Sequence, residues 1–95
     1  MVNVGIIGIG AWGKNLLRVF DELSNVIEVS YKEDTETKEW LEDNYPKLKS
    51  MGDYKKLLKN RTIDVVVIAT PIKTHFQITK DAILAGKLVF VEKQL

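Results

Sequence analysis

Apolar residues fall into two alternating kinds of segment along this chain: short unbroken runs, and longer stretches in which they recur at helical spacing. The run Val2 to Ile7 ends on a glycine cluster, and a continuous apolar run of that length suits a strand covered on both faces, as in a parallel sheet. From Ala11 onward Leu16, Leu17, Phe20 and Leu23 predict a helix that lays one stripe on the sheet, ending at Ser24-Asn25. Val26 to Tyr31 predicts a second strand, with Glu28 in its middle as a polar residue the pattern does not explain. Asp34 then caps a helix running through Tyr45, which Pro46 terminates. Leu48 to Met51 predicts a short third strand, and Asp53 caps a brief helix carrying Tyr54, Leu57 and Leu58. Ile63 to Ala69 holds the most β-prone stretch, Val65-Val66-Val67-Ile68, stopped by Thr70-Pro71. Thr74 to Ala85 follows as a helix with Ile78, Ala82 and Ile83 on one side, and Gly86 stands where a left-handed residue closes a helix. Leu88 to Val91 supplies a fifth strand.

Strand and helix alternating to the end predict an α/β fold, a doubly wound parallel sheet of Rossmann type with about five strands and helices on both faces. Parallel neighbours need crossover connections, and the intervening helices provide them. The chain has 95 residues, 45% of them hydrophobic and 28% charged, so residues 1–95 form one small domain with no linker or repeat. A domain this short buries only about two-thirds of its unfolded surface, which predicts a homo-oligomer or another covering partner. Fourteen Lys and Arg against thirteen Asp and Glu leave a net charge of +1 with no basic block, which argues against nucleic acid as a partner. With no cysteine and one histidine, disulfides, thiolate metal sites and multi-His zinc sites are excluded. The chain opens directly into a strand-like run, and no apolar stretch approaches the roughly 18 residues of a membrane span. These features together predict a cytoplasmic protein with no membrane partner.

The chemistry begins at Gly8-Ile9-Gly10-Ala11-Trp12-Gly13, a Gly-x-Gly-x-x-Gly pattern between the first strand and the first helix. In that setting the first glycine permits a tight turn, the second lets backbone approach a pyrophosphate, and the third lets helix and strand pack closely. The helix start then offers N–H groups and the positive end of its dipole to phosphates. Gly8 to Lys14 also matches the opening of a nucleoside-triphosphate loop. The next residue is Asn15, however, which has no hydroxyl to place on magnesium. An adenosylmethionine-binding domain uses a similar first loop, but nothing downstream supports it specifically. At the end of the second strand an Asp or Glu normally accepts hydrogen bonds from the adenosine ribose. Here Tyr31 stands there, followed by Lys32. Two readings stay open: NADP with Lys32 at its 2′-phosphate, or NAD with Glu33 or Asp34 on the ribose and Lys32 solvated.

From end to end the chain resembles the N-terminal domain of the glucose-fructose oxidoreductase and inositol dehydrogenase family. The residues that carry the likeness are Gly8 to Gly13, Asp53-Tyr54 with Leu57-Leu58, Ile63 to Pro71, His75, and Ala85-Gly86-Lys87 through Val91-Glu92-Lys93. The resemblance implies NAD or NADP as cofactor. It also implies hydride exchange with a hydroxyl or ketone of a sugar, cyclitol or sugar nucleotide. It places Ala69, Thr70, Pro71 and His75 beside the cofactor, and Glu92 and Lys93 in contact with cofactor or substrate, Lys93 as the catalytic group. Gln94 stands where the family has a proline, which bears on how Lys93 is aimed. The family's second domain, with its substrate site, has no counterpart in these residues. The expectation is therefore a dinucleotide-binding domain that is catalytically incomplete alone, or else a nucleotide-binding assembly module. A site completed between two copies is a further alternative. Beside these roles, Lys93 also reads as a solvated lysine, His75 as a helix cap or packing residue, and Trp12 as a shield that packs on the following helix.

Overall fold

The computed structural model describes residues 1–32 and 34–91. Five parallel strands are ordered β3-β2-β1-β4-β5, where β1 is Asn3–Ile7, β2 Asn25–Ser30, β3 Lys49–Met51, β4 Val65–Ile68 and β5 Leu88–Val91. Helices α1 (Ala11–Leu23), α2 (Thr35–Asn44), α3 (Tyr54–Leu58) and α4 (His75–Leu84) connect them, with a 3₁₀ turn at Ile72–Thr74 leading into α4. The doubly wound sheet expected from the alternation of runs is therefore present. So are helices on both faces.

Alternation along the strands sorts the core into two layers. Val4 and Ile6 of β1, Val29 of β2 and Val67 of β4 meet Leu16 and Leu17 of α1 and Leu41 of α2. Ile7, Val66 and Ile68 point the other way, onto Leu57 and Leu58 of α3 and Ile78 and Ala82 of α4. Gly5 belongs to this second layer. A Cβ built there would lie 2.8 Å from Leu57 Cδ2, so the bare backbone lets α3 approach the sheet.

Two predicted core residues are instead exposed. Leu23 is 75% accessible and Ile83 61%. The thirteen-residue α1 is longer than the five-residue strand beneath it, so its last turn overhangs. Ile83 lies five positions beyond Ile78, which turns it about 140° away around the helix. Boundaries shift by a residue or two: Asn25 opens β2 instead of closing α1, and Val2 stays outside β1. Tyr31 follows β2 yet still donates its N–H to the Met51 carbonyl at 3.1 Å.

Glu28 acquires an explanation. The β1–β2 register slips between Val4 and Gly5, so that Val26 faces Val4 but Glu28 faces Gly5. Buried Glu28 Oε1 accepts a hydrogen bond from Asn60 Nδ2 at 2.9 Å and lies 3.9 Å from Lys49 Nζ, while Oε2 is buried with no hydrogen-bond partner among the described residues. Asn60 also receives Lys87 Nζ on its carbonyl at 2.7 Å, and the same ammonium reaches the Ile63 carbonyl at 2.9 Å. A buried polar group needs such partners, and these tie the α3–β4 connection to both halves of the sheet.

Candidate functional site

Strand order reverses between β1 and β4, so the connections leaving their C-terminal ends diverge to opposite faces and open a crevice. In open parallel sheets ligands bind at that point. Gly8 N–H donates to the Ser30 carbonyl at 2.7 Å and Ala69 N–H to the Ile7 carbonyl at 2.8 Å, which fixes both connections to neighbouring strands. A cleft of about 490 Å³ lies there. Its floor is the glycine loop, one wall is Ala69, Thr70 and Pro71, and the far end is Tyr31, Lys32, Asp34 and Thr37.

The three loop glycines differ in why they are glycine. Gly8 has φ +100°, a conformation L side chains rarely adopt, and its Cβ would sit 2.9 Å from the Ala69 carbonyl carbon and oxygen. At Gly13 a Cβ would stand only 2.1 Å from the Gly8 carbonyl oxygen. The fold itself demands these two. Gly10 has φ −88° and ψ −162°, ordinary extended geometry, and its Cβ would meet nothing within 4 Å. Nothing among the described residues demands a glycine at Gly10. The open space beside it is the volume a phosphate would occupy, so the loop passes the steric requirement for a dinucleotide.

Gly10 is also the N-cap of α1, and it supplies no side-chain hydrogen bond to that helix. First-turn N–H groups have no intrahelical partner, and among the described residues those of Ala11, Trp12 and Gly13 meet no other backbone acceptor, which suits them to an anion. Ala11 is exposed at this start, and Trp12 packs partly buried on the adjoining core layer while lining the cleft. Trp12 Nε1 is buried and has no hydrogen-bond partner among the described residues.

The opposite wall is held by side chains. Thr74 Oγ1 lies 2.6 Å from both Thr70 Oγ1 and the Pro71 carbonyl. The single Thr74 hydroxyl hydrogen is the one able to satisfy the carbonyl, so the Thr70 hydroxyl supplies the hydrogen of the other contact. His75 Nε2 lies 2.7 Å from the Thr70 carbonyl. Since a carbonyl only accepts, Nε2 carries the hydrogen of this contact. His75 thus steadies the wall from behind. It lines a separate apolar groove with Phe76, Ile83, Leu84 and Val91, not the glycine-loop cleft.

At the far end Tyr31 is 8% exposed and its ring joins the core with Leu41. Lys32 is exposed. Asp34 caps α2: Thr37 N–H donates to Oδ1 at 2.7 Å and Thr37 Oγ1 to Oδ2 at 2.9 Å. The backbone hydrogen bond, followed by the hydroxyl and by nearby Lys14, holds the Asp34 carboxyl below its usual value. Lys14 itself stands over the Trp40 ring, 5.1 Å from the centroid.

Of the site residues expected from sequence, Gly8, Gly10, Ala11, Trp12, Tyr31, Lys32, Ala69, Thr70 and Pro71 line one cleft, with Gly13 packed beneath. Glu92 and Lys93 lie outside the described residues, as do Glu33 and Gln94. Sequence reasoning passed over Ile9 and Thr37 as lining residues. Thr37 carried a signal, since a hydroxyl three positions after a capping Asp can close the cap from the other side.

Residues 2–95 match the model of the oxidoreductase family described as having an NAD-binding Rossmann fold, the group typified by glucose-fructose oxidoreductase and inositol dehydrogenase. The chain belongs to that family. Among curated relatives, a glycosyl hydrolase family 109 protein of Shewanella sp. (strain ANA-3) is 36% identical over 96% of this chain and 22% of its own length. An uncharacterized oxidoreductase of Escherichia coli is 32% identical over 97% of this chain and 26% of its own. The family member described here thus spans about a quarter of the length of those relatives. Scyllo-inositol dehydrogenase of Lactobacillus casei, solved with NAD(H) and scyllo-inositol, superposes with a TM-score of 0.86 over 98% of this chain and 28% of that one. At 24% identity that likeness speaks for the fold. Biliverdin reductase of Synechocystis, solved with biliverdin and NADP⁺, gives a TM-score of 0.85 at 27% identity, over 99% of this chain and 30% of that one. No helix among the described residues is long and apolar enough to cross a membrane.

Proposed function

We propose that this chain is the cofactor-holding part of an oxidoreductase that exchanges hydride with a CH–OH or ketone carbon of a sugar, cyclitol or sugar nucleotide. Gly8, Gly10 and Gly13 with the α1 start seat the pyrophosphate. Ala69, Thr70 and Pro71 wall the nicotinamide end, and Tyr31 with Lys32 lies at the adenosine end. The observation that carries this reading is Gly10, whose missing side chain the fold does not require and an approaching phosphate does. The nicotinamide supplies hydride acceptance or donation when bound; the chain's residues bind and orient it. His75 acts at one remove, holding the Thr70 carbonyl, and Lys93 is assigned the catalytic contact with substrate on family resemblance.

Substrate turnover also needs a positioned hydroxyl and an acid or base for its proton. Among the described residues of the cleft the titratable side chains are Tyr31, Lys32 and Asp34, all at the adenosine end. On family resemblance Lys93 supplies the acid or base, while positioning of the substrate falls to the family's second domain; the chain alone therefore binds cofactor and does not turn over substrate, and it assembles with itself or with further polypeptide in a cytoplasmic enzyme. Titration calorimetry with NADH and NADPH tests the binding, and absorbance of the reduced nicotinamide over a panel of polyols and sugar nucleotides tests the chemistry. Binding without turnover is expected. Absence of binding overturns the cofactor assignment, and turnover that Lys93→Ala removes overturns the assignment of catalytic incompleteness.

A further inference from the structure

Resting on that cofactor reading, we infer that the cleft selects NADP(H) over NAD(H), with Lys32 and Lys38 receiving the 2′-phosphate of the adenosine ribose. The two readings left open by the sequence differ in what they require of the end of β2. NAD selection needs a carboxylate free to accept the ribose hydroxyls. The residue in that place is Tyr31, whose ring is packed into the core and carries no carboxylate. Of the two acids that the NAD reading named, Glu33 lies outside the described residues, and Asp34 lines the cleft with both oxygens accepting at the α2 cap, from Thr37 N–H and Thr37 Oγ1. A carboxylate turned away from Thr37 toward a ribose would give up those bonds.

Charge points the same way. A second cleft adjoins the first, sharing Tyr31 and Asp34 with it, and is lined further by Thr35, Lys38, Ser50 and Met51. Lys32 borders the first cleft and Lys38 the second, so two exposed ammonium groups flank the junction where the adenosine ribose lies. The Asp34 charge at that junction is countered by Lys14, which is stationed over Trp40. A 2′-phosphate adds between one and a half and two negative charges near pH 7, by analogy with phosphorylated side chains, and Lys meets such groups as a strong point charge. Hydroxyls of Thr35 and Ser50 border the same cavity and can donate to phosphate oxygens.

The test compares NADPH with NADH, and 2′-phospho-ADP-ribose with ADP-ribose, by calorimetry on the full chain at low and at moderate salt. The 2′-phosphorylated member of each pair binds about tenfold or more tightly, a ratio that salt reduces and the double variant Lys32→Glu, Lys38→Glu collapses. Both lysines are exposed, and a circular-dichroism melt establishes that the double variant folds. Equal or tighter binding of NADH overturns the inference and leaves the cofactor site standing. A ratio unchanged in the double variant likewise overturns the assignment to these lysines. If none of the four ligands binds, the cofactor reading itself falls, and this inference with it.

Discussion

The two connections that meet at the crevice leave the same end of the sheet, yet they are built in opposite ways. Between β1 and α1 the loop is nearly all backbone: its turn is shaped by glycine sterics, and the helix it starts has no side-chain cap. Between β4 and α4 the chain is tied by side chains, with Thr70, Thr74 and His75 bonded to one another or to carbonyls of the same turn. The first connection can expose N–H donors at close approach, because no side chain projects at Gly10. The second can hold a wall at fixed distance, because its hydroxyls and imidazole are spent on its own geometry. A binding crevice needs one surface that comes close and another that stays put, and the division between them falls at the point where strand order reverses.

Substitutions rank by how deeply they break this contrast. Gly13→Val meets the Gly8 carbonyl oxygen at 2.1 Å, backbone that cannot move away, so it should abolish the cooperative thermal transition. Gly8→Ala combines a φ of +100° with contacts at 2.9 Å to Ala69 backbone. It should cost roughly 1–3 kcal/mol or more, visible as a lower midpoint in urea. On the other connection, Thr74→Val removes the hydroxyl that ties Thr70 and the Pro71 carbonyl. About 1 kcal/mol of stability should be lost, with a several-fold weaker cofactor Kd, since the wall loosens without losing a contact surface. A Thr74→Val variant with unchanged Kd would show that the wall does not depend on this network.

A gentler probe uses pH at the adenosine end. The Asp34 carboxyl is held below its ordinary value of 3.8 by hydrogen bonds from Thr37, so its cap contributes fully above about pH 4 and is lost as pH falls through the lowered folded value. Asp34→Ala should melt a few degrees below the parent at pH 7, and the gap should narrow as pH falls below 3.8. A gap independent of pH would remove the carboxylate from the account of α2.

Most of the fold was legible because apolar runs and capping residues are local signals. Val65 to Ile68 reads as a strand from composition alone, and Asp34 and Asp53 cap the helices they precede. What stayed hidden depended on distant partners. Glu28 has meaning through Asn60, thirty-two positions on, and through a register slip that no periodicity announces. Leu23 and Ile83 follow a helical pattern, but whether a surface lies beneath them is a matter of tertiary layout. At the site, the glycine spacing already divides the two glycines that serve the turn and the packing from the one that leaves room for a ligand, and a Cβ placed at each clashes at Gly8 and Gly13 and meets nothing at Gly10. The supporting role of His75 was unreadable, because it rests on a 2.7 Å contact to a carbonyl in the preceding turn.

Gly10 disturbs the fold least of these positions and therefore tests the central claim most directly. Its geometry suits any residue and its Cβ direction is empty, so Gly10→Val should keep the parent's circular dichroism and melt within about 1 kcal/mol of it. Calorimetric titration of that variant with NADPH and NADH is the decisive measurement. The account predicts a loss of affinity of about a hundredfold or more, because the added methyl groups occupy the space reserved for the pyrophosphate. A Gly10→Val protein that binds either dinucleotide as tightly as the parent would contradict it.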